Sequence, residues 1–248
     1  MLINMRNAMM AGGGGLSARS YVQDGLVAMW DGIENAGWGV HDPNATVWKD
    51  LIGSRDATVI NGGGFDANSF TNSSTFNTPA WFSPAISAAD SRTVEFVYRI
   101  QATSSNGYAT ALAGGTVMAS ADKVDSLHEG LYGVTLASNG SIISFGNSYQ
   151  YAASTNKPLY AAHDYSHKVA YIDGKAATSS GTTAYATYDV YNRNRVPSIG
   201  GYAPNSDYNN IFAGHIYRIA YYSRALTAAE VAANYAIDKA RFNLPDAT

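Results

Sequence analysis

The stretch that decides the fold is HKVAYIDGK, which runs from His167 to Lys175 in the last third of the chain. It alternates polar and apolar residues and then reaches Asp173 and Gly174, a pair that favours a tight hairpin turn. Three segments with patterns of their own follow, namely SIGGY at 198–202, FAGHIYRIAYY at 212–222 and LTAAEV at 226–231. The first two predict strands, one short and closed by glycines and one alternating. The third opens a helix.

The helix is predicted from its first turn. Thr227 and Glu230 stand in the spacing of a capping box, in which each side chain bonds the other residue's backbone N–H. The predicted helix runs from about Ala228 to Phe242, and it is the one helix that the sequence predicts. The side chains that could line its packing side are Val231, Tyr235 and Phe242.

The opening of the domain carries a second pair of strand patterns. GLVAMWDG at 25–32 predicts a strand that ends at a turn, and TVWKDLIG at 46–53 follows after a loop rich in Gly, Asn, Asp and Pro. Trp30 and Trp48 are predicted to be core residues. Many further short strands at even spacing indicate a sandwich or jelly roll. They are predicted at Ala57–Ile60, Ala80–Phe82, Ser91–Ile100, Ala109–Met118, Gly130–Leu136, Ser141–Phe145, Pro158–His163, Lys168–Ile172, Ala184–Tyr191, Val196–Ile199 and Ile211–Tyr222.

The order of these segments resembles the closing strands and terminal helix of LamG-like domains, members of the concanavalin A-like lectin/glucanase superfamily. The opening pair also looks like the start of such a domain. The resemblance covers about residues 21–244. It is most specific in the C-terminal half, and from Ser54 to Asn156 only the strand pattern matches. It implies an all-β fold, an antiparallel β-sandwich jelly roll with one C-terminal helix, in a single domain over residues 21–248.

Composition agrees with such a domain and excludes several partners. The chain has 248 residues, of which 46% are hydrophobic and 14% charged, as suits a globular domain with a sizeable core. The net charge is −3 without a basic run, so no nucleic-acid partner is expected. No segment is long and apolar enough to predict a membrane span. Without cysteines, no disulfide or thiolate metal site can form.

The first 20 residues, MLINMRNAMMAGGGGLSARS, differ from the rest. Polar residues interrupt the start and Gly12–Gly15 end it, which argues against a cleaved signal peptide. We predict a flexible arm over residues 1–20, because the glycine run makes a flexible joint. The arm is either a disordered tail or a segment that docks on a neighbouring subunit. In the second case, its apolar contacts are Leu2, Ile3, Met5, Met9 and Met10.

Catalysis is not expected from the carboxylates. Glycoside hydrolysis usually needs two carboxylates across the scissile bond, and glucanases of the resembled superfamily place them in Glu-x-Asp-x-x-Glu spacing. None of the four glutamates has such a partner, and helix capping explains Glu230. No nucleophile-elbow pattern surrounds a serine. We therefore predict that the protein is not an enzyme.

Calcium is the one plausible cofactor, because it prefers carboxylate, amide and carbonyl oxygens from loops. The candidate ligands are Asp31, Asp42 and Asn44, with a second group at Asn205, Asp207, Asn209 and Asn210. Neither group has a specific ligand spacing, and Asp and Asn are also ordinary turn residues.

Glycan is the favoured ligand. Sugar recognition needs an aromatic face for the pyranose ring and amides or carboxylates for its hydroxyls. Stretches that supply both occur at Asn147–Tyr151, Tyr191–Asn194, Tyr202–Asn210 and Gly37–Gly39. The candidate ligand-binding residues are Trp38, Tyr149, Tyr151, Asn192, Tyr202, Asn205, Asp207, Tyr208 and Asn209.

These features predict a non-catalytic carbohydrate-binding or adhesion module. The leader joined directly to the domain resembles phage and prophage structural proteins, which implies display on a virion surface. The expected partners are a glycan or polysaccharide, other virion proteins held through the arm, and further copies of the chain. Two alternatives stay open: a purely structural self-assembling virion module, and an adhesin of the bacterial cell surface.

Overall fold

The structure is a computed structural model that describes residues 15–59, 63–72 and 213–244 and eleven further segments. Those segments are 80–82, 86–87, 93–102, 108–115, 134–137, 141–144, 147–150, 159–164, 169–176, 179–182 and 194–199.

The described part of the chain contains many short strands, one 3-10 turn at Ala18–Ser20 and one α-helix, α1, at Ala228–Phe242. In chain order the strands are β1 Leu26–Asp31, β2 Val47–Trp48, β3 Ala57–Thr58, β4 Gly63–Phe65, β5 Phe70–Asn72, β6 Ala80–Phe82, β7 Ile86–Ser87, β8 Thr93–Ala102, β9 Tyr108–Gly115, β10 Val134–Ala137, β11 Ser141–Ser144, β12 Asn147–Gln150, β13 Leu159–Asp164, β14 Val169–Ile172, β15 Lys175–Ala176, β16 Ser179–Thr182, β17 Asn194–Ile199 and β18 Ala213–Tyr222.

These strands form two antiparallel sheets. The first sheet has the order β15-β14-β13-β8-β18-β5-β4, and β1 also pairs with β18. The second has the order β16-β12-β11-β10-β9-β17-β6-β3-β2, and β7 also pairs with β17. Trp48 of the second sheet stacks on Phe70 of the first with ring centroids 5.5 Å apart. The sheets therefore pack face to face, which confirms the predicted all-β sandwich.

The inner face of the first sheet supplies one layer of the core. Trp30 of β1 and Tyr221 of β18 meet edge to face at 6.0 Å, and Phe96 and Tyr98 of β8 meet in the same way at 5.5 Å. Trp30 and Trp48 are fully buried, which confirms their prediction as core residues.

The outer face of the same sheet is covered by α1. On β8 the residues of both faces are buried from Thr93 to Tyr98. The strand therefore shows no alternation between a solvent-exposed face and a buried face. One hydrophobic cluster joins Met29 and Val97 of the sheet to Val231, Tyr235 and Phe242 of the helix. The predicted packing side of the helix is thereby confirmed.

The two local signals at the end of the chain are confirmed in detail. Asp173 and Gly174 have φ of 48° and 77°, as the tight turn between β14 and β15 requires. A Cβ added at Gly174 would come within 2.8 Å of Tyr235, so glycine is also needed for the helix to lie close. At the helix start, Thr227 and Glu230 form both bonds of the capping box.

Several strand predictions differ from the structure. Asn147–Gln150 is β12 rather than a loop, because it pairs with β11 on one side and β16 on the other. The β4 strand, Gly63–Phe65, is not predicted because two glycines hide its alternation. Only Val47–Trp48 of the second predicted strand is extended, since Asp50 holds the rest as a loop by accepting from Met29 and Ile52 backbone N–H groups. The predicted strand Ala184–Tyr191 lies outside the described residues.

Part of the predicted arm contacts the domain. Ala18 is fully buried and Leu16 packs against the hydrophobic cluster under the helix. The backbone N–H of Ala18 donates to Glu34 Oε1 at 2.6 Å. The described residues of the arm, 15–20, are thus attached to the sandwich. The apolar contacts proposed for the arm, Leu2, Ile3, Met5, Met9 and Met10, lie outside the described residues. Among the helices described, none has the length and apolar character needed to cross a membrane.

Candidate functional site

A cluster of buried ions lies between α1 and the outer face of the first sheet. Arg218 of β18 donates to both oxygens of Asp238, from Nε at 2.8 Å and Nη2 at 2.6 Å. The same Nη2 donates to Glu95 Oε2 of β8 at 2.9 Å. Asn234 of the helix donates to both Glu95 oxygens at 3.0 Å. We call Glu95, Arg218, Asn234 and Asp238 the ionic cluster.

A neighbouring pair extends the ionic cluster toward the N-terminal segment. Arg241 near the helix end contacts both oxygens of Asp31, at 2.5 and 3.1 Å, and donates to Glu34 Oε1 at 3.1 Å. Tyr21 joins the two groups, because its hydroxyl donates to Asp238 at 2.6 Å and accepts from Arg241 at 3.0 Å. The ring of Tyr21 also lies under Arg218, with the guanidinium carbon 4.1 Å from its centroid.

Burial controls the protonation of this region. Desolvation raises the pKa of Asp238, and the charge and hydrogen bonds of Arg218 oppose that rise. Desolvation also raises the pKa of Asp31, against the effect of Arg241. Glu95 and Asp238 share one guanidinium but are fully buried, so a substrate outside the domain does not reach them. The ionic cluster therefore fastens the helix to the sheet.

A second polar group lies on the first sheet where β18 changes its neighbour from β1 to β5. His215 Nδ1 lies 2.9 Å from Ser69 Oγ and 3.0 Å from Asp66 Oδ2. The Ser69 hydroxyl donates to Asp66 Oδ1 at 2.8 Å. Because Ser69 and Asp66 meet the same ring nitrogen, these residues do not form a nucleophilic triad, which needs serine and carboxylate on opposite nitrogens.

Burial and hydrogen bonds shift the pKa values of Asp66 and His215 in this group. Burial raises the pKa of Asp66, but hydrogen bonds from the Asn68 and Ser69 backbone and the Ser69 hydroxyl outweigh it and lower the pKa overall. Burial lowers the pKa of His215, and the positive charge of Arg99 lowers it further. The charge and hydrogen bond of Asp66 raise it, but by less. His215 is therefore neutral at pH 7.

The loop that follows β1 is closed by side-chain hydrogen bonds and carries an aromatic residue at the surface. Asn35 closes its base, donating to the Asp42 carbonyl at 2.7 Å and accepting from the Asp42 N–H at 2.8 Å. Glu34 Oε2 accepts from the Gly39 N–H at 2.8 Å. Trp38 lies half-buried against the hydrophobic cluster, and Val40 beside it is 51% exposed. Added Cβ atoms at Gly37 and Gly39 would meet nothing within 4 Å, so the tip is open.

Arg19 lies over this tip. Its guanidinium carbon is 4.2 Å from the centroid of the Trp38 ring, a cation–π contact. We call Arg19, Trp38, Gly39 and Val40 the Trp38 surface. It is the candidate functional site, because it combines an aromatic side chain, an exposed apolar side chain and an exposed cation on a fixed loop.

The remaining predicted site residues are not brought together by the described structure. Tyr149 lies within β12, in register with Ile142 of β11. The other glycan candidates, Tyr151, Asn192, Tyr202, Asn205, Asp207, Tyr208 and Asn209, lie outside the described residues, as does the calcium candidate Asn210.

The first calcium group is already used for hydrogen bonds and an ion pair. Both oxygens of Asp31 meet Arg241, and its Oδ1 also accepts from the Ile33 and Glu34 backbone. Asp42 Oδ1 accepts from the Asn44 N–H at 2.8 Å, as in an ordinary Asx turn. Within the described ranges, no three His, Cys, Asp or Glu side chains are grouped so that they could hold a metal ion.

Two residues of the candidate site have little or no signal in the sequence. Arg19 falls within the predicted arm, and the only local hint of its position is the pattern of serines around it. Ser17 and Ser20 form a small capping box that folds this segment into a 3-10 turn. Glu34 joins the loop to the N-terminal segment, and no pattern in the neighbouring sequence indicates these contacts.

The two antiparallel sheets and the single described α-helix define a β-sandwich of the jelly-roll kind. The sequence matches no protein-family model and no curated protein. Among solved structures, it is similar to the Trypanosoma rangeli sialidase in complex with sialic acid, with a TM-score of 0.59 and 15% identity over 87% of this chain and 33% of that one. It is also similar to the receptor binding domain of botulinum neurotoxin D, with a TM-score of 0.53 and 13% identity over 86% of this chain and 52% of that one.

These similarities correct one prediction. The expectation that the protein is not an enzyme is wrong, because the solved structures to which the chain is similar include sialidases, one of them a mutant that displays trans-sialidase activity. The expectation rested on the absence of one carboxylate spacing, and that absence does not exclude other catalytic arrangements. The chain spans about a third of the length of the sialidases, and at such low identity the likeness defines the fold alone.

Proposed function

We propose that this domain recognises glycan for a larger protein and does so at the Trp38 surface. The observation that carries the proposal is the half-buried Trp38 on a loop fixed at Glu34 and Asn35. Because Arg19 lies over its ring, the held indole offers its edge to a sugar at small entropic cost, since the loop does not have to be ordered on binding. The predicted residues of the Tyr202–Asn210 stretch are a second candidate surface.

The solved structures support a glycan ligand. One neighbour is a sialidase in complex with sialic acid, and another is the receptor binding domain of a toxin. This chain covers only part of each of these proteins, a third of the sialidase and about half of the toxin domain. A domain that holds a ligand for a larger protein agrees with this arrangement.

The sialidase neighbours favour a second candidate function. In it, the larger protein cleaves or transfers sugars and this chain forms one part of it. A fluorogenic sialoside distinguishes the two functions when its binding and its turnover are measured with the intact chain. Binding without turnover would assign recognition to the chain, whereas turnover would assign catalysis to it.

The setting that we propose is a virion surface, with a bacterial cell surface as the alternative. It is supported by the glycine-linked apolar leader, which resembles phage structural proteins. Attachment would run through residues 1–14, and copies of the chain would assemble with other virion proteins. Antibody against the domain should label intact particles if this is correct. Labelling of bacterial cells without particles would favour the adhesin.

Glycan recognition is tested with an array of immobilised glycans and a matched pair of variants. Trp38→Ala should abolish the binding shown by the wild type, whereas Trp38→Phe, which keeps a ring, should retain part of it. Thermal unfolding of both variants checks that the domain stays folded. Equal binding by wild type and folded Trp38→Ala would exclude the Trp38 surface, and Tyr208→Ala would then test the second candidate surface.

A further inference from the structure

The Trp38 surface carries an arginine held in one place. The backbone of Arg19 is fixed on both sides, because Ala18 is buried and donates to Glu34, and Tyr21 is buried and donates to Asp238. The N–H of Arg19 itself donates to Ser17 Oγ at 3.2 Å. The side chain then reaches the Trp38 ring, and the cation–π contact restricts its rotamers.

The charge of this arginine is not used within the described part of the chain. No described residue forms an ion pair or side-chain hydrogen bond with its guanidinium, and Arg19 is exposed. Arg224 offers a contrast, because it donates from two nitrogens to both oxygens of Glu230. A guanidinium that lies over an indole and has no carboxylate partner has N–H groups left to bond a planar anion at two points.

The nearby carboxylate does not neutralise Arg19. Glu34 is buried, and its two oxygens accept from the backbone of Ala18 and Gly39 and from Arg241. Beside the arginine, Gly39 leaves open space and Val40 exposes apolar surface. A ligand that fits this surface has one acidic group for Arg19 and a compact, partly apolar body for Val40 and the edge of Trp38.

We infer that the Trp38 surface selects acidic sugars, in which a carboxylate or sulfate is bound by Arg19 at two points. The inference rests on the proposed glycan recognition and names its substrate class. A polyanion such as nucleic acid does not fit, because phosphate chains need several clustered cations and the sequence has no basic run. The acidic group supplies the charge and the sugar ring supplies the contact with Trp38 and Val40.

The test measures the affinity of the intact chain for four probes by titration calorimetry. These are N-acetylneuraminic acid, glucuronic acid, galactose 6-sulfate and neutral galactose. The wild type should bind the acidic sugars at least about tenfold more tightly than galactose, as one charge-assisted contact implies. Arg19→Gln should lose that preference. The matched control is Lys175→Gln, which removes an exposed cation from the β14–β15 hairpin and should bind as the wild type does.

Each outcome decides between the inference and the proposed function. Unchanged affinity of Arg19→Gln for the acidic sugars would overturn the inference. Equal binding of neutral and acidic sugars, lost in Trp38→Ala, would also overturn it while leaving glycan recognition in place. Binding of none of the sugars on this panel or on the array would overturn both. Inorganic sulfate that competes as tightly as galactose 6-sulfate would reduce the site to an anion site without sugar recognition.

Discussion

Two arginines of this domain lie over aromatic rings at almost the same distance, and their surroundings give them different roles. Arg218 lies 4.1 Å from the centroid of Tyr21, and Arg19 lies 4.2 Å from that of Trp38. Arg218 is fully buried and paired with two carboxylates. Arg19 is exposed without such a partner among the described residues. Burial and pairing, rather than the cation–π contact, thus separate an arginine that holds the fold from one that can bind a ligand.

The largest expected effect comes from removing the buried arginine. Arg218→Met would leave Glu95 and Asp238 buried without their counter-charge, which should lower the free energy of unfolding by about 3–5 kcal/mol. Arg19→Gln should change it by less than about 0.5 kcal/mol, because an exposed side chain is replaced. Urea unfolding of both variants measures the difference. Similar free energies of unfolding for the two variants would show that Arg218 does not stabilise the fold more than Arg19 does.

Tyr21 tests how the ionic cluster is joined to the N-terminal segment. Tyr21→Phe keeps the ring under Arg218 but removes a hydroxyl that donates to Asp238 and accepts from Arg241. Because both partners are charged and buried, the variant should be less stable by about 2–3 kcal/mol in urea unfolding. A change of only a few tenths would mean that the ring contact, and not the hydroxyl, connects these elements.

The difference between the two regions also explains what the sequence can predict. The turn at Asp173 and Gly174 and the capping box at Thr227 and Glu230 depend on residues a few positions apart, so both could be predicted and both are confirmed. The ionic cluster joins Glu95 to Arg218, 123 positions along the chain, and no local pattern marks such a pair. The residue type and glycine neighbours of Trp38 mark it as a candidate in the sequence, and its binding role stays a prediction. No local pattern places Arg19 over its ring.

Truncation of the N-terminal segment should have a smaller effect on stability and shows where the contacts with the sandwich begin. Deleting residues 1–14 should leave the free energy of unfolding nearly unchanged, since the described contacts with the sandwich begin at Leu16. Deleting residues 1–20 also removes buried Ala18 and its hydrogen bond to Glu34, which should cost about 1–2 kcal/mol. Thermal and urea unfolding of the two truncated chains compare them directly. Equal loss in both would show that the first 14 residues stabilise the domain as well.

The smallest effect concerns His215, whose group is less buried than the ionic cluster. Its side chain is 13% exposed, and burial lowers its pKa from 6.5, with Arg99 of β8 acting in the same direction and Asp66 against it. A lowered pKa means that the unfolded chain takes up this proton first. The contribution of His215 to stability is therefore complete above pH 6.5 and is lost as the pH falls through its lower value in the folded domain.

The measurement is urea unfolding of the wild type and His215→Gln at pH 7.5, 6.5 and 5.5. The wild type should lose stability over this range by more than the variant, because glutamine does not titrate. Asp66 does not interfere, since hydrogen bonds outweigh burial and lower its pKa from 3.8, so it stays ionised throughout. Tyr217, which stacks on His215, has its pKa raised by burial from 10.0 and stays neutral. Parallel pH profiles for wild type and variant would show that this histidine is not held in its neutral form by the fold.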